Sequence, residues 1–133
     1  MSEEQGRDPL WISQEVILAV HDRQLAEHGG GSGTRDAGLL ESALARPINR
    51  WSYGAEDRAE LAAAYAYGIA RNHPFVDGNK RTAWVAARLF LALNGVELAF
   101  DKGDAIRIML ALAAGELPEE ELAQWFRDHM AKG

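Results

Sequence analysis

Apolar residues recur along most of this chain at intervals of three and four positions, the spacing of amphipathic helices. The runs are rich in alanine, leucine and glutamate, and glycine or proline separates them. This pattern predicts an all-α fold, a compact helical bundle formed by a single domain that spans residues 1–133. Residues 1–10 are expected to be a poorly ordered N-terminal extension.

The first helix is predicted to begin after Ser13, a good capping residue, and to run to about His28. The stretch 29–33 is rich in glycine and too short to link two domains, so it is expected to be a flexible loop. Four apolar residues are expected to face inward from this helix: Val16, Ile17, Val20 and Leu25.

Pro47 is predicted to end the second helix, which Asp36 opens. The residue before a proline is disfavoured in helical angles, so this helix has to stop before Pro47 and is expected to be short. Residues 47–55 alternate weakly between apolar and polar and are expected to form a short exposed flap before the central helices.

Asp57 and Glu60 resemble a capping box and predict a third helix that ends at Asn72, because His73 precedes a proline. The remaining predicted elements are a helix from about Asn79 to Asn94, a short extended segment from Val96 to Phe100, and two last helices that start at Asp104 and Glu119.

Composition excludes several classes of protein. No apolar run approaches the ~20 residues that cross a bilayer, and the N-terminus lacks the features of a signal peptide. Cysteine is absent, which excludes thiol catalysis and fits a reducing cytoplasm. The net charge of −6 argues against direct nucleic-acid binding, which needs a basic surface. A cytoplasmic protein without membrane contact is therefore expected.

Residues 71–94 depart from this acidic character, since they hold four basic residues and one acidic residue. A positive region in an acidic protein suits a small anionic ligand. Gly78 and Asn79 fall at the predicted start of a helix, where free N–H groups and the helix dipole bind anions. Lys80 and Arg81 follow and add two cations that can hold phosphate.

Asp77 and His73 complete the combination that a phosphorus-group transfer requires. One carboxylate, together with phosphate oxygens and waters, is the usual way in which Mg²⁺ is held. A histidine side chain is largely neutral in the cell and can accept the proton of an attacking hydroxyl. The rest of the barrier is lowered by positioning and charge neutralisation.

Each of these residues also has a structural interpretation when it is taken alone. The histidine can serve only the loop, residues 77–79 can be an ordinary turn and helix cap, and the two cations can be solvated. Phe75 is interpreted as a core anchor. A zinc site lacks a third ligand nearby, and a Walker-type loop lacks its upstream glycine. The combination favours the transfer chemistry.

The stretch His73 to Arg81, HPFVDGNKR, resembles the signature of the Fic/Doc family, HxFx(D/E)(G/A)N(G/K)R. Lys80, followed by Thr82 and Ala83, is similar to the Doc (death-on-curing) branch of that family. The resemblance covers about Trp11 to Met130 and also includes His21-Asp22, the Gly29-Gly30 loop, Asp36, Gly38 and Asn94-Gly95-Val96.

The resemblance implies a Fic-type helical fold and a nucleotide-using transferase with ATP and Mg²⁺ as cofactors. It implies that His73 is the general base and Asp77 the magnesium ligand. It further implies that Gly78 and Asn79 form an anion hole and that Arg81 holds a phosphate. A flap that aligns the target chain would correspond to residues around 48–53.

Two departures from the nucleotidyl-transferring relatives matter: Lys80 stands in place of a glycine, and Trp84 in place of a second arginine. Both departures favour ATP bound in the opposite orientation to that in those relatives, so that its γ-phosphoryl group is presented to the target hydroxyl. The resemblance then implies a Doc-type Ser/Thr kinase, the toxin of a bacterial toxin–antitoxin pair, whose target class is elongation factor Tu and whose action stops translation. Transfer of AMP and a catalytically idle binding module are the alternatives.

Inhibition is expected to come from a separate antitoxin. Residues 52–56 match only the first part of the family's self-inhibiting S/T-x-x-x-E-G/N helix, which we interpret as chance. An antitoxin segment, laid as a helix into a groove on the bundle, would then act in trans.

Overall fold

The computed structural model of the chain describes residues 8–131, which form six helices. These are α1 (Gln14–His28), α2 (Ala37–Ser52), α3 (Arg58–Asn72), α4 (Asn79–Leu93), α5 (Lys102–Ala113) and α6 (Glu119–Asp128). Within the described residues there is no strand, only two isolated antiparallel bridges. The predicted all-α fold is confirmed. No helix of residues 8–131 is both long enough and apolar enough to cross a membrane.

Helix α3 is the centre of the bundle. Ten of its fifteen residues are buried, and it packs against α2, α4, α5 and α6, while α1 packs against α4. Seven of those ten are alanine or glycine, which lets neighbouring helices approach closely. At Gly68 an added Cβ would lie 3.0 Å from the carbonyl oxygen of Ala43 on α2. The small side chains of α3 therefore set the distance between the two helices.

The predicted end of the second helix is wrong, because α2 continues through Pro47 to Ser52. A proline inside a helix cannot donate to the carbonyl four residues earlier, which here is that of Ala43. That carbonyl faces Gly68, where no side chain obstructs it, and Pro47 is buried against the bundle. The packing against α3 thus accommodates the missing hydrogen bond, and the predicted extended flap over residues 47–55 is wrong for the helical part to Ser52.

The limits of α1, α3, α4 and α6 agree with their predictions, and Ser13 caps α1 by accepting from the N–H of Val16 at 3.2 Å. The inward face of α1 differs, since Val16 is exposed while Ile17 and His21 are buried. The fifth helix begins earlier than predicted, at Lys102, because Asp101 is its cap. Of the predicted N-terminal extension, residues 1–7 lie outside the described part of the chain.

The predicted extended segment from Val96 to Phe100 pairs with the chain that follows α6. An isolated bridge joins Leu98 to Met130. The N–H of Ala99 donates to the carbonyl of His129 at 2.8 Å, which ties the end of α6 to this segment. The segment before α5 and the chain that follows α6 are thereby held together.

Candidate functional site

Residues 73–78, the motif loop, join α3 to α4. Helix α3 ends at Asn72, because His73 adopts a left-handed conformation with φ 49° and ψ 55°. It is the one residue other than glycine with a positive φ in the described part of the chain. Its N–H still donates to the carbonyl of Ile69 at 3.2 Å, and its side chain is exposed. The imidazole is therefore presented at the surface directly after a buried helix.

The side chain of Asn79 closes the motif loop. Its Oδ1 accepts from the N–H of Phe75 and its Nδ2 donates to the carbonyl of Phe75, both at 3.0 Å. Phe75 is 1% exposed, so its interpretation as a core anchor is confirmed. The sequence offered residues 77–79 as a turn and helix cap, and the resemblance implied that Asn79 takes part in an anion hole. The side-chain amide does not cap α4 and is used within the loop, so only the backbone N–H of Asn79 remains for an anion.

The start of α4 leaves backbone donors without partners. Gly78 is the cap residue, with φ 78° and no side-chain cap, and the first backbone bond of the helix runs from the N–H of Thr82 to the Gly78 carbonyl at 3.0 Å. Within residues 8–131, the N–H groups of Asn79, Lys80 and Arg81 have no carbonyl partner. Donors of this kind at a helix start form an anion site.

The side chains of Lys80 and Arg81 are exposed beside these N–H groups. No acidic group of the described residues forms an ion pair with either of them. Two unpaired cations and a helix start therefore act in the same direction on a passing anion.

Asp77 places its carboxylate at the edge of this anion site. Its Oδ1 accepts from the N–H of Gly78 at 2.8 Å, and a Cβ added at Gly30 would meet its Oδ2 at 2.7 Å. No cluster of three or more metal-ligating side chains exists in the part of the chain that the structure describes. One exposed carboxylate next to unpartnered N–H donors fits a Mg²⁺ ion that arrives on a polyphosphate.

The loop between α1 and α2, expected to be flexible, is bonded along the motif loop. Thr34 forms a bridge with Phe75, and the N–H of Arg35 donates to the Pro74 carbonyl at 2.7 Å. The guanidinium of Arg35 donates to the carbonyls of Asn72 at 2.9 Å and His73 at 2.8 Å. Nothing local in the sequence marks this arginine as a part of the site, because the contact spans nearly forty positions.

His21 on α1 is a second residue that the sequence did not assign to the site. It is 2% exposed, and its ring stacks on Phe75 with centroids 3.8 Å apart. Its Nε2 lies 2.7 Å from the carbonyl oxygen of Asp77. The available signal was its position four residues after Ile17, on the inward face of the helix.

The four basic residues of the positive region predicted over residues 71–94 do not lie together in the structure. Arg71 points its guanidinium at the carbonyl of Ala113, 3.5 Å away at the end of α5. Arg88 lies over the rings of Trp84 and Phe100, at 5.7 and 5.1 Å from their centroids. Of the four basic residues, only Lys80 and Arg81 remain at the start of α4.

Trp84, for which the resemblance implied a second arginine in nucleotidyl-transferring relatives, is half-buried in an aromatic cluster. Its ring lies 5.1 Å from that of Phe100 and 5.9 Å from that of Trp125, both edge to face. This side chain is used for packing against α6 and against Phe100.

Known proteins resemble this chain over most of its length. A sequence model described as the Fic/DOC family matches residues 11–91. The chain is 37% identical over 117 residues to "Protein kinase doc" of Escherichia phage P1, an alignment that covers 87% of this chain and 92% of that protein. It is 53% identical over 76 residues to "Toxin Doc" of Mycolicibacterium smegmatis, which covers 55% of this chain and 58% of that protein.

Proposed function

This chain belongs to the Fic/Doc family, and we propose that it is a Doc-type toxin that transfers the γ-phosphoryl group of ATP to a Ser or Thr hydroxyl of a protein. Elongation factor Tu is the proposed target class, and its modification would stop translation in the cytoplasm. One observation carries the proposal: the exposed imidazole of His73 is separated by a short closed loop from a helix start with unpartnered N–H groups and two unpaired cations.

The start of α4 would bind the phosphates of ATP. The N–H groups of residues 79–81 would donate to phosphate oxygens, Arg81 would hold a phosphate with its planar fork, and Lys80 would add a point charge. Asp77 would hold Mg²⁺, which when bound would neutralise charge on the polyphosphate. These contacts position the nucleotide and stabilise charge, the two contributions that dominate phosphoryl transfer.

His73 would act as the general base. The target hydroxyl oxygen forms a bond to the γ-phosphorus, the bond from that phosphorus to the β–γ bridging oxygen breaks, and ADP leaves. The hydroxyl proton passes to the imidazole of His73, which is exposed and ready to meet a protein substrate. General-base assistance of this kind typically contributes ~10²–10⁴ in rate.

The environment of Lys80 and Trp84 supports transfer of the γ-phosphoryl group over transfer of AMP. The lysine stem occupies space next to the anion site that a glycine would leave open, and it carries no competing ion pair in residues 8–131. Trp84 is committed to aromatic packing and offers no clamp for a terminal phosphate. Both features disfavour binding of ATP in the orientation that AMP transfer requires.

The direct experiment compares two labelled nucleotides. The purified chain, Mg²⁺ and purified elongation factor Tu are incubated with ATP labelled at either the α or the γ phosphorus. Label that passes to the target only from the γ position supports the proposal. Label that passes only from the α position replaces it with AMP transfer. His73→Ala should abolish the transfer, and His28→Ala, at an exposed histidine of α1, should leave it unchanged.

A growth assay tests the idle-module alternative. Expression of the chain should arrest bacterial growth, and His73→Ala should relieve the arrest. An arrest that persists in His73→Ala, without transfer of either label, would identify a binding module that needs no chemistry.

Inhibition by an antitoxin in trans is part of the proposal. Glu56, in the partial match to the self-inhibiting helix, precedes α3, whereas His73 follows its end. A helix of fifteen residues is ~22 Å long, so this glutamate is remote from the motif loop. Glu56 is therefore not placed to obstruct the anion site at the start of α4. Co-expression of the protein encoded beside this chain should restore growth, and a failure to do so would contradict this part.

A further inference from the structure

His21 is the only buried histidine among the described residues, and both its hydrogen bond and its ring stack are with the motif loop. One face of its ring lies nearly parallel to Phe75, at an angle of 9°. The Cδ2–Nε2 edge lies under Gly78, where an added Cβ would be 3.6 Å from both atoms. Leu25, one turn further along α1, approaches the same point at 3.6 Å. Side chains of helix α1 thus pack directly against the buried side of the motif loop.

The hydrogen bond between His21 and Asp77 has a defined direction. A carbonyl oxygen only accepts, so Nε2 carries the proton and donates over the 2.7 Å contact. The bonded carbonyl belongs to the peptide group that joins Asp77 to Gly78. In a planar trans peptide the N–H points opposite to the C=O, so a bond that fixes the carbonyl also aims the Gly78 N–H.

The other side of the same peptide group faces the anion site. The Gly78 N–H donates to Oδ1 of Asp77 at 2.8 Å, which holds the carboxylate at the start of α4. The Asp77–Gly78 peptide is therefore hydrogen-bonded on both sides, to His21 on the buried side and to the Asp77 carboxylate on the exposed side. Without the donor on the buried side, the Asp77 carbonyl would be unpaired and the peptide would be free to rotate.

We propose that His21 is a positioning residue of the transfer reaction, which fixes the Asp77–Gly78 peptide and, through the N–H of Gly78, orients the carboxylate that faces the nucleotide. This inference rests on the proposed function. It assigns to α1, more than fifty positions before Asp77, a role in the geometry of the site and not only in the core. Partners of this supporting kind are typically worth about 10–100-fold in affinity or activity.

Two substitutions separate positioning from packing. His21→Phe keeps the ring stack on Phe75 and removes the donor, whereas His21→Gln keeps an N–H donor of similar reach and loses the stack. Phe126→Leu, at a buried residue of α6 away from the motif loop, is the control for a general loss of core packing. Unfolding by urea ranks the three variants by stability before any other comparison.

Kinetics and hydrogen exchange give the decisive readouts. His21→Phe should lower kcat/KM for Mg²⁺–ATP by about 10–100-fold. It should also speed exchange of the Gly78 amide in the nucleotide-free protein by about tenfold. His21→Gln should restore most of the wild-type kcat/KM and of the wild-type exchange rate, and Phe126→Leu should change neither quantity. A loss of activity that follows stability alone, shared by Phe126→Leu at equal free energy of unfolding, would overturn the inference.

The wild-type protein provides a measurement that needs no variant and no activity. The ¹⁵N shifts of His21 report which ring nitrogen carries the proton in the neutral ring, and the structure requires Nε2. Protonation at Nδ1 would overturn the inference even if phosphoryl transfer is confirmed. Conversely, if no variant transfers the γ label, the exchange rate and the tautomer still decide whether His21 holds this peptide.

Discussion

Asn79 and Phe75 are joined by two hydrogen bonds of 3.0 Å, one in each direction, between a side-chain amide and the backbone of a residue four positions earlier. The amide thus replaces the hydrogen bonds that a regular helix or strand would give this stretch of backbone. Both residues are buried, so no water substitutes readily for either bond. The motif loop is a closed ring whose shape depends on one side chain.

Asn79→Ala is expected to destabilise the protein and to abolish transfer. The change leaves the buried N–H and carbonyl of Phe75 without partners, which costs about 1–3 kcal/mol for each unsatisfied group. Urea unfolding measures the loss, and the labelled-ATP assay measures the activity. Asn49→Ala, at an exposed asparagine of α2, is the control and should change neither. A fully active Asn79→Ala would contradict the closed ring.

His73→Gly should be more stable than His73→Ala, although both lose transfer. The left-handed backbone at His73 costs a residue with a Cβ roughly 1–2 kcal/mol, and glycine adopts it freely. The two variants lack the imidazole equally, so their difference in free energy of unfolding, expected at about 1 kcal/mol, reports the backbone alone. Equal stabilities would show that the loop relaxes out of this conformation.

Gly68→Ala is expected to destabilise the contact between α2 and α3. The new methyl group would lie 3.0 to 3.2 Å from backbone and side-chain atoms of Ala43, and a helix backbone yields less easily than a side chain. The expected overpacking cost of about 1–3 kcal/mol exceeds the gain of roughly 1 kcal/mol in helix propensity. Thermal unfolding would measure it. Gly103→Ala, whose methyl meets only the Asp101 side chain, should be close to neutral.

Asp104 should contribute an acid-sensitive part of the stability. Hydrogen bonds from Arg107 and from the indole of Trp125 lower the pKa of its carboxyl below the ordinary value of 3.8. A lowered pKa in the folded state gives a stabilisation that is present above the unfolded value and is lost as the pH falls through the folded value.

The free energy of unfolding, measured from pH 7 down to pH 2, should therefore decline below about pH 4 partly through this residue. Asp104→Asn should be less stable than the wild type at neutral pH and should show a flatter decline in acid. Asp22→Asn, at an exposed residue of α1, should retain the wild-type profile. If the free energy of unfolding of Asp104→Asn declined in acid as that of the wild type does, Asp104 would not contribute to the acid sensitivity.

Most helix limits could be predicted because they depend on neighbours in sequence. Ser13 and Asp57 accept from N–H groups two or three positions ahead, which any capping rule captures. The rule that a helix stops before a proline gave the wrong end for α2, which continues through Pro47. Its cost to the helix is local, but the compensation is the packing of α2 on Gly68, which lies some twenty positions away in the chain.

The sequence by itself determined which reactive side chains lie together, because His73, Asp77, Lys80 and Arg81 fall within nine positions, where a turn is followed by a helix start. Tertiary structure alone decided what supports them. Arg35 and His21 reach the motif loop from the α1–α2 loop and from α1, and they bond to its backbone carbonyls, which carry no sequence signal. Residue type fixes what a side chain can do, but only the packed chain decides which distant donor meets which carbonyl.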